Sequence, residues 1–335
     1  MKEIELIKSF FNEFSLKTPK HFYWVYKGGS RYYVDKDANI RVGITSFLSR
    51  ILPTHYALTK WRDDMGKDEA QRIFVERAKY GTIFHVLAAN VLKNYKATGK
   101  YNVPILIYQI EQKVIELLPS HDCKPFIFEL QKDMASLAKF CEQYKPDPIL
   151  LETPLGSKDM ALAATLDFFG TIQIPVKGDY GEVYKSGANK GLPKETTQMQ
   201  RTLADIDFKT MIKKDTNEGA NKPIGASAVW QLNYQKLFLT DNYPEYLGQE
   251  IKLYNAVPKN WKTNPEMQLT EAEQIPVQDL KGLYSASKFI DPYIIEKCGQ
   301  SKIVEYLEYN GTIEESINVI DFQTYCTNLI KNFTK

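Results

Sequence analysis

Two short stretches of this chain carry residues that could do chemistry. Residues 203–210, Leu-Ala-Asp-Ile-Asp-Phe-Lys-Thr, read as a strand ending in Asp207, Phe208 and Lys209. Forty residues upstream of Asp207, an apolar stretch at 161–169 reads as a second strand with Asp167 near its middle. Residues two apart on a strand share a face and lie about 6.6 Å apart. Asp207 and Lys209 therefore point the same way, and a neighbouring strand can bring Asp167 beside them. Hard carboxylate oxygens suit Mg²⁺ or Mn²⁺. A lysine next to such an ion can position a water, or help deprotonate it, for attack on phosphorus. Asp205 shares the face of Asp207 by parity and is the rival ligand; Asp207 is preferred because only it leaves Lys209 two residues on. Acid-x-Lys triplets also occur at Glu111/Lys113, Asp122/Lys124, Glu250/Lys252 and Asp279/Lys281, so the setting must distinguish this one.

The elements that would hold these residues follow from periodicity. Ile4, Ile7, Phe10, Phe11 and Phe14 predict a helix over 1–15, and 21–42 reads as strands around a Gly28-Gly29 turn. A short helix follows at 43–52, with Thr45 or Ser46 as N-cap and Pro53 as its end. A helical block covers 56–145, with His85 beside the stripe Ile83, Leu87, Val91; locally it reads as a half-buried histidine with its hydrogen bonds met. Strands are expected at 149–155, where Glu152 has apolar neighbours, at 160–174, at 201–210 and at 250–257. Between the third and fourth of these, a helix from Ala226 to Leu239 carries Trp230, Gln231 and Tyr234. Residues 175–200 are rich in Gly and Lys and read as a hairpin tip or loop, or as a flap whose Lys185, Lys190 and Lys194 touch a phosphate backbone. A last helix is expected near 313–332.

Composition narrows the class. The chain has 335 residues, 43% hydrophobic and 25% charged, as a globular protein does. No apolar run reaches the length of a membrane span and no signal peptide opens the chain. Cys123, Cys141, Cys298 and Cys326 lack CxxC spacing, which fits a cytoplasmic setting with Cys141 as a buried free thiol. A net charge of +2 means any polyanion must be met by a local patch. A GxxxxGK[ST] loop is absent.

Five segments in order resemble the PD-(D/E)XK nuclease superfamily, and within it the RecB-like and phage-type exonucleases. Gly81-Thr-Ile-Phe-His85 is similar to its helical Gly-Thr-x-x-His motif, and Glu152 stands on a strand where the family has an acid. Ala164-Thr-Leu-Asp167 resembles its Gly-Thr-x-Asp strand, Asp207-Phe-Lys-Thr210 its Asp-Tyr-Lys-Thr, and Gln231-Leu-Asn-Tyr234 its Gln-x-x-Tyr helix. Residues 44–61 also resemble the segment that opens many phage members. Leu166 stands in place of the family's proline, and the gap from Asp167 to Asp207 is longer than a simple hairpin.

The resemblance implies an α/β fold with a PD-(D/E)XK restriction-endonuclease-like core: a mixed central β-sheet flanked by helices, with N-terminal and helical additions. The corresponding division is 1–45 as helix and hairpin extension, 46–257 as core with a helical insert, and 258–335 as a C-terminal extension on the core. It implies Mg²⁺ or Mn²⁺ held by Asp167, Asp207, the Phe208 carbonyl and His85. Lys209 would orient the water, Glu152 a metal-bound water or a neighbouring side chain, and Gln231 and Tyr234 would touch Lys209 or substrate, with Tyr234 as plain core the alternative. No iron–sulfur cluster is expected from the cysteine spacing. The implied activity is DNA hydrolysis from ends in a bacterial or phage-infected cell, with a recombination or replication protein as a possible partner. The alternatives are a non-catalytic DNA-binding or assembly protein, a structure-selective endonuclease, and a small-molecule phosphohydrolase. The last would need paired histidines that His21, His55, His85 and His121 do not form.

Overall fold

Residues 161–170 are apolar on both faces of a strand apart from Thr165 and Asp167, so both faces have to be covered. In the computed structural model, which describes residues 22–27, 30–35, 40–52, 56–101, 103–117, 123–157, 159–210, 225–259 and 264–290, they open the long strand β5 (Leu162–Val183). The other strands are β1 (Phe22–Lys27), β2 (Ser30–Asp35), β3 (Ile40–Gly43), β4 (Asp147–Gly156), β6 (Pro193–Phe208), β7 (Lys252–Lys259) and β8 (Glu266–Glu271). Together they form an eight-stranded mixed sheet in the order β1-β2-β3-β5-β6-β7-β8, with β4 also paired to β5. β3 runs parallel to β5 and β6 parallel to β7; the remaining pairs are antiparallel.

The helices are α1 (Ile44–Ile51), α2 (Tyr56–Met65), α3 (Lys67–Thr98), α4 (Val103–Leu117), α5 (Cys123–Tyr144), α6 (Ala226–Asn242) and α7 (Val277–Ile290). Alternation along the strands sorts the core into two layers. Phe168, Ile172, Ala204, Ile206, Phe208 and Ala256 pack against α3, α4 and α5 through Phe84, Leu87, Ile110, Leu137 and Phe140. Phe169 and Leu253 pack on the other face against Phe47 of α1 and Leu232, Tyr234 and Phe238 of α6. The core is therefore a mixed α/β sheet covered on both sides.

Several boundaries differ from the sequence expectation. α1 starts at Ile44 with Gly43 at its N-cap and no capping side chain, so neither Thr45 nor Ser46 serves. β8 and α7 extend the architecture beyond 257, where the weak alternation of residues 266–271 gave no strand signal. Residues 175–200 form the hairpin tip that is one of the two sequence readings, with strands longer than expected and a turn at 184–192. Past Ile174, β5 and β6 remain paired as a two-stranded ribbon through Asp179↔Glu195 and Val183↔Pro193, and residues 181–195 are exposed. Lys185 lies eighteen residues beyond Asp167, a contour of about 60 Å at the rise of a strand. Lys185, Lys190 and Lys194 lie at or beside the tip of this arm, its full length along the chain from Asp167 and Asp207. The helices expected over 1–15 and 313–332 lie outside the described residues. Among the described residues, no helix is long and apolar enough to cross a membrane. Cys141 is a free, buried thiol pushed up to about 12 by burial.

Candidate metal centre

Strand register sets the site. The pairs Leu151↔Phe168 and Thr153↔Leu166 bracket Glu152 and place it across from Asp167. On β5's other edge, Phe168↔Ile206 is the last pair, and the next step places Asp167 across from Asp207. Three carboxylates thus form one row over β4, β5 and β6. The row sits where that edge of β5 changes partner: β3 pairs at Leu162 and Ala163, β6 from Phe168 onward. In the gap, Gln235 donates from Nε2 to the Thr165 carbonyl at 2.8 Å, and the Tyr33 hydroxyl meets Thr165 Oγ1 at 2.9 Å. Strands that part at this point leave room for side chains between them.

Each element then contributes one group. β6 ends with the Phe208 amide donating to Asp167 Oδ2 at 2.9 Å, and the Lys209 amide donates to the Ala256 carbonyl on β7. Glu152 has a φ of +42°, in the left-handed region that a non-glycine residue enters at a cost of about 1 kcal/mol. Its Oε1 lies 3.1 Å from His85 Nδ1, and Asp167 Oδ2 lies 3.6 Å from the same nitrogen. One ligand atom each from His85, Glu152 and Asp167 lie within 4.8 Å of one another. Asp207 stands beside them and is clasped from solvent: Lys209 Nζ is 2.8 Å from Oδ2, and Gln231 Nε2 donates to Oδ1 at 2.8 Å. Lys209 Nζ also donates to Gln231 Oε1 at 3.2 Å.

The sequence-derived set is placed as follows. His85, Glu152, Asp167, Asp207, Lys209 and Gln231 are brought together. The closest potential ligand trio contains Glu152, expected only to hold a water or orient a neighbouring side chain, whereas Asp207 is tied up by Lys209 and Gln231. Phe208 contributes its backbone amide; its ring is buried in the core against Phe84 and Phe140. Tyr234 does not reach the site. It is fully buried, donates its hydroxyl to the Leu280 carbonyl at 2.7 Å, and packs edge-on against Phe47. Three residues along a helix rotate a side chain about 60° short of a full turn, and that offset sends Tyr234 into the α1–α6 seam while Gln231 meets Lys209. Asp205 is also fully buried, and neither carboxylate oxygen finds a hydrogen-bond partner among the described residues. Burial, with Asp207 and Asp167 nearby, pushes its pKa well above the carboxylate range. It sits one strand repeat behind the row. Gln235, four residues after Gln231, is a supporting residue that only the i,i+4 spacing hinted at.

The charges are tuned by burial and by each other. Burial raises Asp167, with His85 opposing. Burial raises Asp207 to about 6 against the pull of Lys209. Lys209 is held above its ordinary value because Asp207 and Asp167 outweigh the cost of burying it. In this arrangement its ammonium donates to Asp207 and Gln231. For His85, burial disfavours the charge, but Asp167 and Glu152 overcome it and raise the ring from 6.5 to about 9. In the metal-free fold the stability from that charge is complete below about 6.5 and lost as pH rises through about 9.

The set could hold a divalent cation: two carboxylates and an imidazole lie within 4.8 Å of one another, with a third carboxylate next in the row. An imidazole must be neutral to ligate, so the ion has to displace the His85 proton. Affinity for Mn²⁺ should therefore rise about tenfold per pH unit between 7 and 9 for one displaced proton. Calorimetry in buffers of different ionisation enthalpy should count close to one proton released per ion at pH 7; none released would remove His85 from the ligands.

Comparison of the chain with models of known protein families and with curated proteins gives no match.

Proposed function

We propose that this protein is a Mg²⁺- or Mn²⁺-dependent nuclease that hydrolyses phosphodiester bonds in DNA, acting from ends. The observation that carries the reading is the carboxylate row, Glu152, Asp167 and Asp207 on three adjacent strands, with His85 closing it from α3 and Lys209 fixed at its mouth. His85, Glu152 and Asp167 would hold the ion, with Asp207 completing the set. When bound, the ion supplies Lewis-acid charge to phosphoryl oxygens and a water of lowered pKa. Lys209, half-exposed and steered by Asp207 and Gln231, holds a positive charge where a phosphate's developing charge would need it. Gln231 fixes the direction of that ammonium. Gathering three carboxylates where a polyanion is to bind is unfavourable without a cation, which argues against a purely scaffolding role. DNA as substrate and end-dependence rest on the motif series; one such centre cuts one strand at a time, and no sequence-reading motif accompanies it.

The test sets relaxed, covalently closed circular DNA beside its linear form in Mg²⁺. Linear DNA should shorten steadily while the circle persists, Mn²⁺ should substitute, and Ca²⁺ should not. Comparable nicking of the circle would leave a metal nuclease without end-dependence. Cleavage in excess EDTA would sink the metal reading.

A further inference from the structure

The face of α3 that carries His85 continues away from the metal centre. At 100° per residue, Gly81, Ala78 and Phe74 all lie within about 40° of His85. Gly81 sits against the end of β6: a Cβ there would meet Thr210 Oγ1 at 3.7 Å. One turn further Ala78 is exposed, and at the end Phe74 is 38% exposed. Trp61 of α2 packs on Phe74 edge to face, ring centres 5.4 Å apart, and the Arg62 guanidinium lies 5.9 Å from the Phe74 centroid. An aromatic pair with a cation beside it, Phe74 exposed and Trp61 partly so, lies on the same helix as His85 with the small side chains Gly81 and Ala78 between them.

We propose that Trp61 and Phe74 form a stacking platform for the bases of an unpaired DNA strand that reaches the metal centre along α3. The proposal rests on the nuclease reading and names the form of substrate that the site takes. Every base offers a π-face, so such a platform is tolerant of sequence; Arg62 adds attraction to a stacked ring. From Phe74 to His85 the helix rises about 16 Å, close to five stacked nucleotides at about 3.4 Å each. The surrounding charges nearly cancel: Lys60, Arg62 and Lys67 against Asp63, Asp64 and Asp68. Arg72 is already paired with Glu69 and Glu76. Binding at this platform should therefore add little to the salt dependence, unlike a contact made by lysines to phosphates.

The experiment measures affinity in Ca²⁺ for duplexes bearing single-stranded tails of two or eight nucleotides. The full-length protein is compared with Trp61→Leu, Phe74→Leu and Trp61→Phe. Leucine keeps the apolar contact between α2 and α3 but removes the π-face; phenylalanine keeps both. The wild type should prefer the eight-nucleotide tail by about tenfold or more, the range of one or two stacked bases. Both leucine variants should lose that preference with an unchanged slope of log affinity against log salt, and Trp61→Phe should retain most of it. In the wild-type complex, 2-aminopurine at the fifth tail position should be quenched by stacking, a readout that does not depend on how well any variant folds. Folded leucine variants with the wild-type preference, or unquenched 2-aminopurine, would reduce the pair to a helix contact and overturn the platform. Binding without any tail preference would overturn the platform alone; no binding to any duplex would overturn the nuclease reading and the platform with it.

Discussion

Asp167→Asn should slow DNA cleavage by at least about 10²-fold, the scale of losing a positioned catalytic group, in a protein that stays folded. Asp167 is the middle of the row, next to Glu152 on one side and Asp207 on the other. Its Oδ2 receives the Phe208 amide, and an asparagine oxygen can accept that bond equally well. What the substitution removes is a negative charge that burial disfavours. An acid whose folded pKa is raised destabilises the fold as pH climbs past its unfolded pKa, so at pH 7 the amide should match or exceed the wild type in melting temperature. Lys209→Ala should lose activity on the same scale. Asp205→Asn is the control. Because Asp205 is fully buried behind the row, where burial and the neighbouring carboxylates disfavour its charge, its neutral replacement should leave the rate within a few-fold. An inactive Asp205→Asn beside an active Asp167→Asn would put the centre in the wrong place.

The second large effect is on stability. Phe208→Ala should cost about 3–5 kcal/mol, measured by urea unfolding, as for other buried phenylalanines. The ring is 1% exposed and meets Phe84 and Phe140 edge to face at centroid distances of 6.4 and 6.0 Å. Such pairs add about 0.5–1.5 kcal/mol beyond their burial. The contact with Phe84 has a further consequence, because Phe84 precedes His85 and Phe208 lies between Asp207 and Lys209. The two rings fix α3 against β6, and hence the imidazole against the carboxylates. Phe208→Leu, which keeps most of the volume, should lose less stability yet still weaken divalent-ion binding. A loss below about 1 kcal/mol in Phe208→Ala would mean that the packing there is loose.

Much of this arrangement was legible in the sequence, and the exceptions have local causes. Asp167, Asp207 and Lys209 could be placed together because a strand's period of two is rigid and the flanking residues are apolar. His85 and Glu152 needed the order of motifs, since neither carries a periodic signal of its own. The closeness of Glu152 to His85 depends on the cross-strand register of β4 and on a left-handed residue, both invisible to hydrophobic pattern. Tyr234 was misplaced because spacing along a helix gives direction only to within tens of degrees, and Phe47 of α1, which packs on it, is nearly two hundred positions away in sequence. At 175–200 Gly and Lys suggested a hairpin tip or loop, and the hairpin is there; the length of its strands was hidden because residues 181–195 are exposed and carry no burial pattern. β8 escaped notice for a similar reason, as an edge strand with only Met267 of its side chains well buried.

The most direct test of the account is Mn²⁺ binding by the purified protein, followed by the loss of the free-ion electron paramagnetic resonance signal at pH 8. Wild-type protein should bind at least one ion per chain, and Asp167→Asn and His85→Ala should each weaken that binding by tenfold or more while remaining folded. Wild-type protein that leaves millimolar Mn²⁺ free, or variants that bind as the wild type does, would contradict a metal centre built on His85, Glu152 and Asp167.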